Sequence, residues 1–275
     1  MNSIALPRGA EAIEPKSQFG TMTTGVGIRG IAYLATSVAM ALWVFVGTGS
    51  IAMGWLAPSP ADDYAGITAF LVFWVALFAF VDNPGEKRTR IQRYEEFVYV
   101  WLVSSGLAQL FWELPFALMK SRFMYQLGAE LRPDQWWLWP WWMYSNGDTR
   151  FQTMHHGTYA LETMIALTGP PQLFAAYCIK KKQKYKTAMI IAALSHWGIM
   201  WMNTGIQYIE EIYSGLVHIK DGRAGFWIKW IGLNLHWSLL SPLCSFLALY
   251  LLMKKCEEEA IHRHLALEAA KTPTP

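Results

Sequence analysis

Glu113 stands in the run Gln109-Leu110-Phe111-Trp112-Glu113 and Glu162 in Leu161-Glu162-Thr163, each inside a long and otherwise apolar stretch. Ionisable side chains are costly in such surroundings, so they face the interior of a helix bundle and mark candidate sites. Of two neighbouring carboxyls in an apolar cavity, one can hold a proton near neutral pH, which supplies one acid and one base. With the ring faces of Trp112 and Trp237 nearby to stabilise positive charge, the pair suits proton transfer to and from an apolar substrate through a cation. No Ser-His-Asp arrangement, HExxH helix, glycine-rich phosphate loop or ligand-spaced metal cluster competes with that chemistry, and no cofactor or metal is expected.

Other polar residues interrupt apolar runs in the same way. Gln109 lies four residues before Glu113 and shares its helix face. Asn234, His236 and Trp237 sit together near the chain's last apolar run, and His196, Asn203, Gln207, Glu210 and Glu211 are spaced by seven, four and three or four residues, which marks one face of a helix. Counted from the outer ends of their helices, Glu113, Glu162 and Asn234 lie about six to eight residues in, on the order of 10 Å at a rise of 1.5 Å per residue. Three helices thus bring polar groups to one level. Interhelical hydrogen bonds that only hold a bundle together are the competing account. His196 reads as a packing residue, His155 and His156 as interfacial, and Glu210 and Glu211 as a helix end near headgroups.

The elements that must position these groups are membrane helices. The 275 residues are 53% hydrophobic, 16% charged and 15% aromatic, a balance that argues against a water-soluble domain and against disorder. The net charge of +3 is small and its basic residues do not cluster on one face, so nucleic acid is not an expected partner. Crossing about 30 Å of hydrocarbon takes roughly 20 apolar residues, and six segments come close to that: 30–56, 64–81, 97–119, 156–179, 188–213 and 226–253. The expected fold is therefore all-α, a polytopic bundle of six transmembrane helices. Sixteen of the 23 Lys and Arg fall in the segments that are inside if the N-terminus is inside, which predicts cytoplasmic N- and C-termini. The opening residues have no apolar core, so the first span is expected to act as its own insertion signal. Cys178, Cys244 and Cys256 offer neither a disulfide framework nor a metal knuckle. The connection 120–155 carries Trp136, Trp137, Trp139, Trp141 and Trp142 around Pro140, a pattern that reads first as an interfacial aromatic belt and second as a lid over a cavity mouth. The charged tail after Met253 reads as a solvated helix.

From about Tyr94 to Met253 the chain resembles the emopamil-binding protein family, the sterol Δ8-Δ7 isomerases of the EXPERA superfamily. The resemblance is carried by Gly106 with Phe111-Trp112-Glu113, by Gly147-Asp148-Thr149-Arg150 followed by Glu162-Thr163 and Gly169-Pro170, and by Asn234-Leu235-His236-Trp237 before Pro242. Singly these pieces are weak; their order and spacing are specific. The resemblance implies an EXPERA-like core formed by the last four to five helices. It further implies that Glu113 protonates an alkene, Glu162 removes the proton that relocates the double bond, Asn234 orients the carboxylate and Trp237 faces the carbocation. The substrate-contacting positions are then Gln109, Trp112, Phe151, Ile165, Asn203, Gln207 and His236. The chain departs from the family at three of them. The family His is Gln109, its Thr is Ile165 and its acidic residue is Asn203, and the helix 30–56 is additional to the family's five.

Together these readings divide the chain into an N-terminal segment (1–29), an additional helix (30–56), an EXPERA-like membrane domain (64–253) and a tail (254–275). The leading expectation is an isomerase acting on a sterol, triterpenoid or other polycyclic lipid, with Glu113, Glu162, Asn234 and Trp237 as its catalytic residues. The alternative is a non-catalytic sterol- or lipid-binding protein of trafficking or chaperoning, which the loss of the acidic His favours because Gln cannot donate a proton as an acid. Expected partners are a sterol- or terpenoid-like small molecule and the bilayer, with homodimerisation open. The expected location is an integral membrane position, in the endoplasmic reticulum if the source is eukaryotic.

Overall fold

The structure, a computed structural model, describes residues 17–20, 27–119, 127–128, 130–153, 155–220 and 222–271. Among the described residues there is no β-strand, only an isolated bridge between Asp148 and Ile219. The main helices run, in chain order, α1 (Gly27–Ala52), α2 (Pro58–Phe80), α3 (Arg90–Met119), α4 (Trp139–Ser145), α5 (His156–Ala166), α6 (Gly169–Lys180), α7 (185–213) and α8 (Gly222–Glu268, helical on to Lys271). Of these, α1, α2, α3 and α8 are long and apolar enough to cross a membrane. The segment 156–179 is helical but broken at Leu167 and Thr168, just ahead of Gly169-Pro170-Pro171. The segment 188–213 is an unbroken helix that is more polar, with Ser195, His196, Asn203 and Gln207 buried along it. The tail after Met253 continues α8.

Local sequence sets where these helices begin. Thr89 caps α3 through a reciprocal pair of bonds with Gln92, and His155 caps α5 by accepting from the Thr158 amide at 3.2 Å. Pro58 at the start of α2 and Pro170 at the start of α6 occupy first-turn positions where a missing N–H costs nothing. Small residues let the helices approach. Ala76 and Ala79 of α2, Ala175 and Ala176 of α6, Ala188 and Ala192 of α7 and Ala248 of α8 are all buried in one core around Trp101. Ile31, Leu34, Phe45, Leu71, Phe111 and Leu118 face outward, as helix surfaces in contact with lipid do.

Charged residues close the bundle at its ends. Arg29 of α1, wholly buried, donates to Glu86 at 2.5 Å and to Glu96 at 3.0 Å. Arg88 bonds both Glu96 and Asp82, and Arg93 bonds Asp82, holding that carboxyl below the usual aspartate range. At this same end Ser17 donates to Glu258 at 3.1 Å and the Gly20 amide to Glu95 at 2.9 Å, so the described N-terminal residues lie against the start of the tail. Lys229 of α8 meets Asp62 of α2 at 2.6 Å, with both side chains buried.

The Trp-rich connection differs from the belt expected of it. Trp139 and Trp142 are buried, donating to the Pro58 and Gly128 carbonyls at 3.2 and 3.0 Å, and Trp141 turns inward to the Trp112 carbonyl at 2.9 Å. Only Trp136 is markedly exposed among the five. Each inward ring satisfies its N–H on a backbone carbonyl, which lets so amphipathic a side chain be buried.

Candidate functional site

A cavity of about 640 Å³ opens inside the bundle, lined by residues of α1 to α5, α7 and α8. Its size falls within the range of about 300–1,000 Å³ typical of small-molecule sites. Glu113, Glu162, Asn234 and Trp237 all line it, as do Gln109, Trp112, Phe151, Ile165, Gln207 and His236. Asn203 does not. It is buried beside α5, its amide 3.5 Å from the Leu161 carbonyl, because the cavity face of α7 is Met200, Thr204 and Gln207 and Asn203 lies one residue off that face.

Gln109 and Glu113 are the two ends of a short π-helical segment within α3, and both reach the cavity. Single wide turns of this kind are common at functional sites because they re-aim side chains. Gly106 and Gly169 allow α6 to press against this turn. A Cβ at Gly106 would stand 2.9 Å from the Leu173 side chain, and one at Gly169 would stand 3.0 Å from the Gln109 Cβ. Beside them Gln172 accepts from Ser105 at 2.7 Å and donates to Thr168 at 2.9 Å.

Glu113 and Glu162 approach each other on the cavity wall, near enough for each carboxyl to act on the other. Gln207 Nε2 donates to Glu162 Oε1 at 2.6 Å. Asn234, by contrast, directs its amide nitrogen to the Tyr144 hydroxyl and the Trp230 carbonyl, both at 2.7 Å. The residue seen orienting a site carboxyl is therefore Gln207, while Asn234 fixes Tyr144, a cavity residue the sequence did not single out. Aromatic rings form much of the remaining wall. Trp237 lies 5.0 Å from Phe73 and 5.2 Å from Trp101, Trp112 lies 5.9 Å from Trp141, and Tyr144 meets Phe151 edge-on at 4.6 Å.

The Gly147-Asp148-Thr149-Arg150 motif anchors the site from outside the cavity. Arg150, buried, binds Asp148 at 2.6 Å, Glu210 at 3.1 Å and Glu211 at 3.4 Å, and donates to the backbone carbonyl of Gln207 at 3.1 Å. Glu211 also takes the ring and backbone N–H of His218, and Glu210 pairs with His155 at 3.4 Å. Glu211, buried, and Glu210, partly exposed, thus belong to one ionic cluster around Arg150 and do more than end a helix. His196 is fully buried and does not line the cavity. Among the described residues no group of three or more His, Cys, Asp and Glu is arranged to hold a metal ion.

No protein-family model, characterised protein or solved structure matches this chain.

Proposed function

We propose that the chain is a membrane-embedded isomerase that moves a carbon–carbon double bond, or rearranges the skeleton, in a sterol, triterpenoid or other polycyclic lipid. The observation that carries this reading is that Glu113 and Glu162 line one aromatic-walled cavity together with Trp112 and Trp237. Glu113 gives its proton to one alkene carbon and leaves a carbocation at the other, facing the rings of Trp237 and Trp112. The Glu162 carboxylate removes a proton from the carbon on the far side of the cation, and the double bond re-forms one position along. The reaction ends with Glu162 protonated and Glu113 ionised. Passing the proton back from Glu162 to Glu113 resets the site without an external acid. On this reading the Glu pair serves as the acid–base unit that the resembled family builds with a His at the position of Gln109.

The same reading takes the chain as six-spanning, with an EXPERA-like domain over 64–253 and both termini cytoplasmic. Support comes from the bond between Ser17 and Glu258, a contact between residues before the first helix and after the last span that an even number of crossings accommodates. A glycosylation tag inserted in 180–186 stays unmodified if this is so.

The second reading is a lipid-binding protein without turnover, favoured by Gln109, whose Oε1 has no partner among the described residues. Incubation of membranes carrying the protein with a Δ8-sterol in deuterated water separates the two. The isomerase yields a relocated alkene, labelled to the extent that the carboxyl pair exchanges its proton with solvent between turnovers; bound sterol recovered unchanged leaves the binding protein.

A further inference from the structure

One polar group on the cavity wall takes no part in the carboxyl pair. His236 stands two residues beyond Asn234 on α8 and so projects from a different side of that helix, yet it also lines the cavity. Its ring is stacked flat on Phe73 of α2, with centroids 4.2 Å apart and planes 4° from parallel, and lies beside Trp237 at 4.4 Å. The residue is 1% exposed. Among the described residues neither ring nitrogen has a hydrogen-bond partner; the Gly232 carbonyl one turn back lies near the ring but out of hydrogen-bonding geometry. Trp101, whose ring lies 6.1 Å from that of His236, makes no bond to it either, since its Nε1 is without a partner among the described residues. A buried polar group left unpaired is destabilising, and a bilayer interior offers no water to offset it. A leucine would fill this place against Phe73 and Trp237 without that cost.

We propose that His236 is a substrate-recognition residue that hydrogen-bonds an oxygen substituent, hydroxyl or oxo, of the polycyclic lipid in this cavity. This deepens the proposed function and rests on it. The alkene of the substrate lies at Glu113 and Glu162, and its oxygen lies across the ring skeleton against Phe73 and His236. A neutral imidazole carries one donor and one acceptor, so it can accept from a hydroxyl or donate to a ketone, and the substrate class is an oxygenated polycycle rather than a hydrocarbon.

The test uses the full chain, purified into lipid nanodiscs, and three matched probes: a Δ8-sterol with a free 3-hydroxyl, its 3-ketone and its 3-deoxy hydrocarbon. Equilibrium binding of each is measured for wild type, His236→Leu and His236→Gln. The wild type is expected to bind at least one oxygenated probe about tenfold or more tighter than the hydrocarbon, the scale set by a buried hydrogen bond. His236→Leu brings oxygenated and hydrocarbon probes within about threefold of each other by weakening the former alone, with hydrocarbon affinity and melting temperature kept or raised. His236→Gln, which retains a donor and an acceptor, recovers part of the preference. Should His236→Leu fail to fold, His236→Phe extends the existing stack and is read the same way. The alcohol-to-ketone ratio in the wild type distinguishes hydroxyl from oxo recognition. Equal binding of all three probes by the wild type, or a preference that persists in the Leu or Phe variant, overturns the assignment of His236. Binding of none of the three overturns the polycyclic-lipid reading, and this inference with it.

Discussion

Gln207 donates its side-chain amide to Glu162 Oε1 at 2.6 Å, and its own backbone carbonyl accepts from Arg150 at 3.1 Å. One residue of α7 therefore connects the buried ionic cluster of Arg150, Asp148 and Glu211 to a carboxyl in the cavity. An amide N–H is a natural partner for a carboxylate, the form a base requires. On the proposed mechanism this arrangement suits Glu162 as the base and Glu113, which lines the cavity from the π-helical turn of α3, as the acid.

Glu162→Gln should abolish turnover and leave sterol binding within a few fold of wild type. The amide keeps the size of the side chain and a hydrogen-bonding oxygen but cannot take a proton. Product formation and equilibrium binding, measured on the same preparation, separate the two effects. Turnover at the wild-type rate would remove Glu162 from the reaction.

Gln207→Leu should lower kcat by roughly ten- to hundredfold with KM nearly unchanged, because a carboxyl that loses its orienting donor is misplaced more than the substrate is. The split between kcat and KM is the informative readout. Equal loss in both would mean that Gln207 only shapes the cavity.

Gln109→His restores the acid that the resembled family places four residues before Glu113. A gain in Δ8-sterol isomerisation is expected, because a second acid then reaches the same cavity from the same turn of α3. If the Glu pair alone already turns over sterol at a full rate, the added His changes nothing and the chemistry needs no such partner.

The apolar runs and their polar interruptions were enough to place helices and to bring Glu113, Glu162, Asn234 and Trp237 to one cavity, because hydropathy over twenty residues and depth along a helix are both readable from residue order. Three features were not readable. The π-helical turns at Gln109–Glu113 and Ser195–Trp201 leave no residue signature, and Asn203, which the resemblance set among the substrate-contacting positions, lies one residue off the cavity face of Met200, Thr204 and Gln207. Trp139 and Trp142 would give the same local sequence whether they faced headgroups or a core, and only their carbonyl partners decide between the two. The pairing of Arg150 with Glu210 and Glu211 joins residues some sixty positions apart, which spacing within one helix cannot reveal.

The additional helix α1 forms part of the cavity wall through Tyr33, Thr36, Ser37, Met40 and Val44, yet Arg29 is the only buried residue of its first section, Gly27–Ala41. The hold of that first section on the bundle is therefore largely polar, while Met40, Trp43 and Ile51 pack further along. At one end Arg29 binds Glu86, Glu96 and the Val81 carbonyl, and Tyr33 donates to Glu96 at 2.9 Å. Toward the other end Trp43 donates to Thr68 at 3.0 Å and lies against Trp139. Arg29→Met removes one partner of a buried ionic group and leaves Glu86 and Glu96 to share Arg88, a change that costs about 3–5 kcal/mol in comparable settings. Thermal unfolding in detergent should show a clear loss of stability, and sterol affinity should fall with it because a wall of the cavity is loosened. Arg29→Lys should recover only part of the loss, since a single ammonium cannot span Glu86 and Glu96 as the guanidinium fork does. A melting temperature unchanged in Arg29→Met would show that α1 is held by its lipid-facing surface and by Trp43, with the charged cluster bracing only α2 and α3.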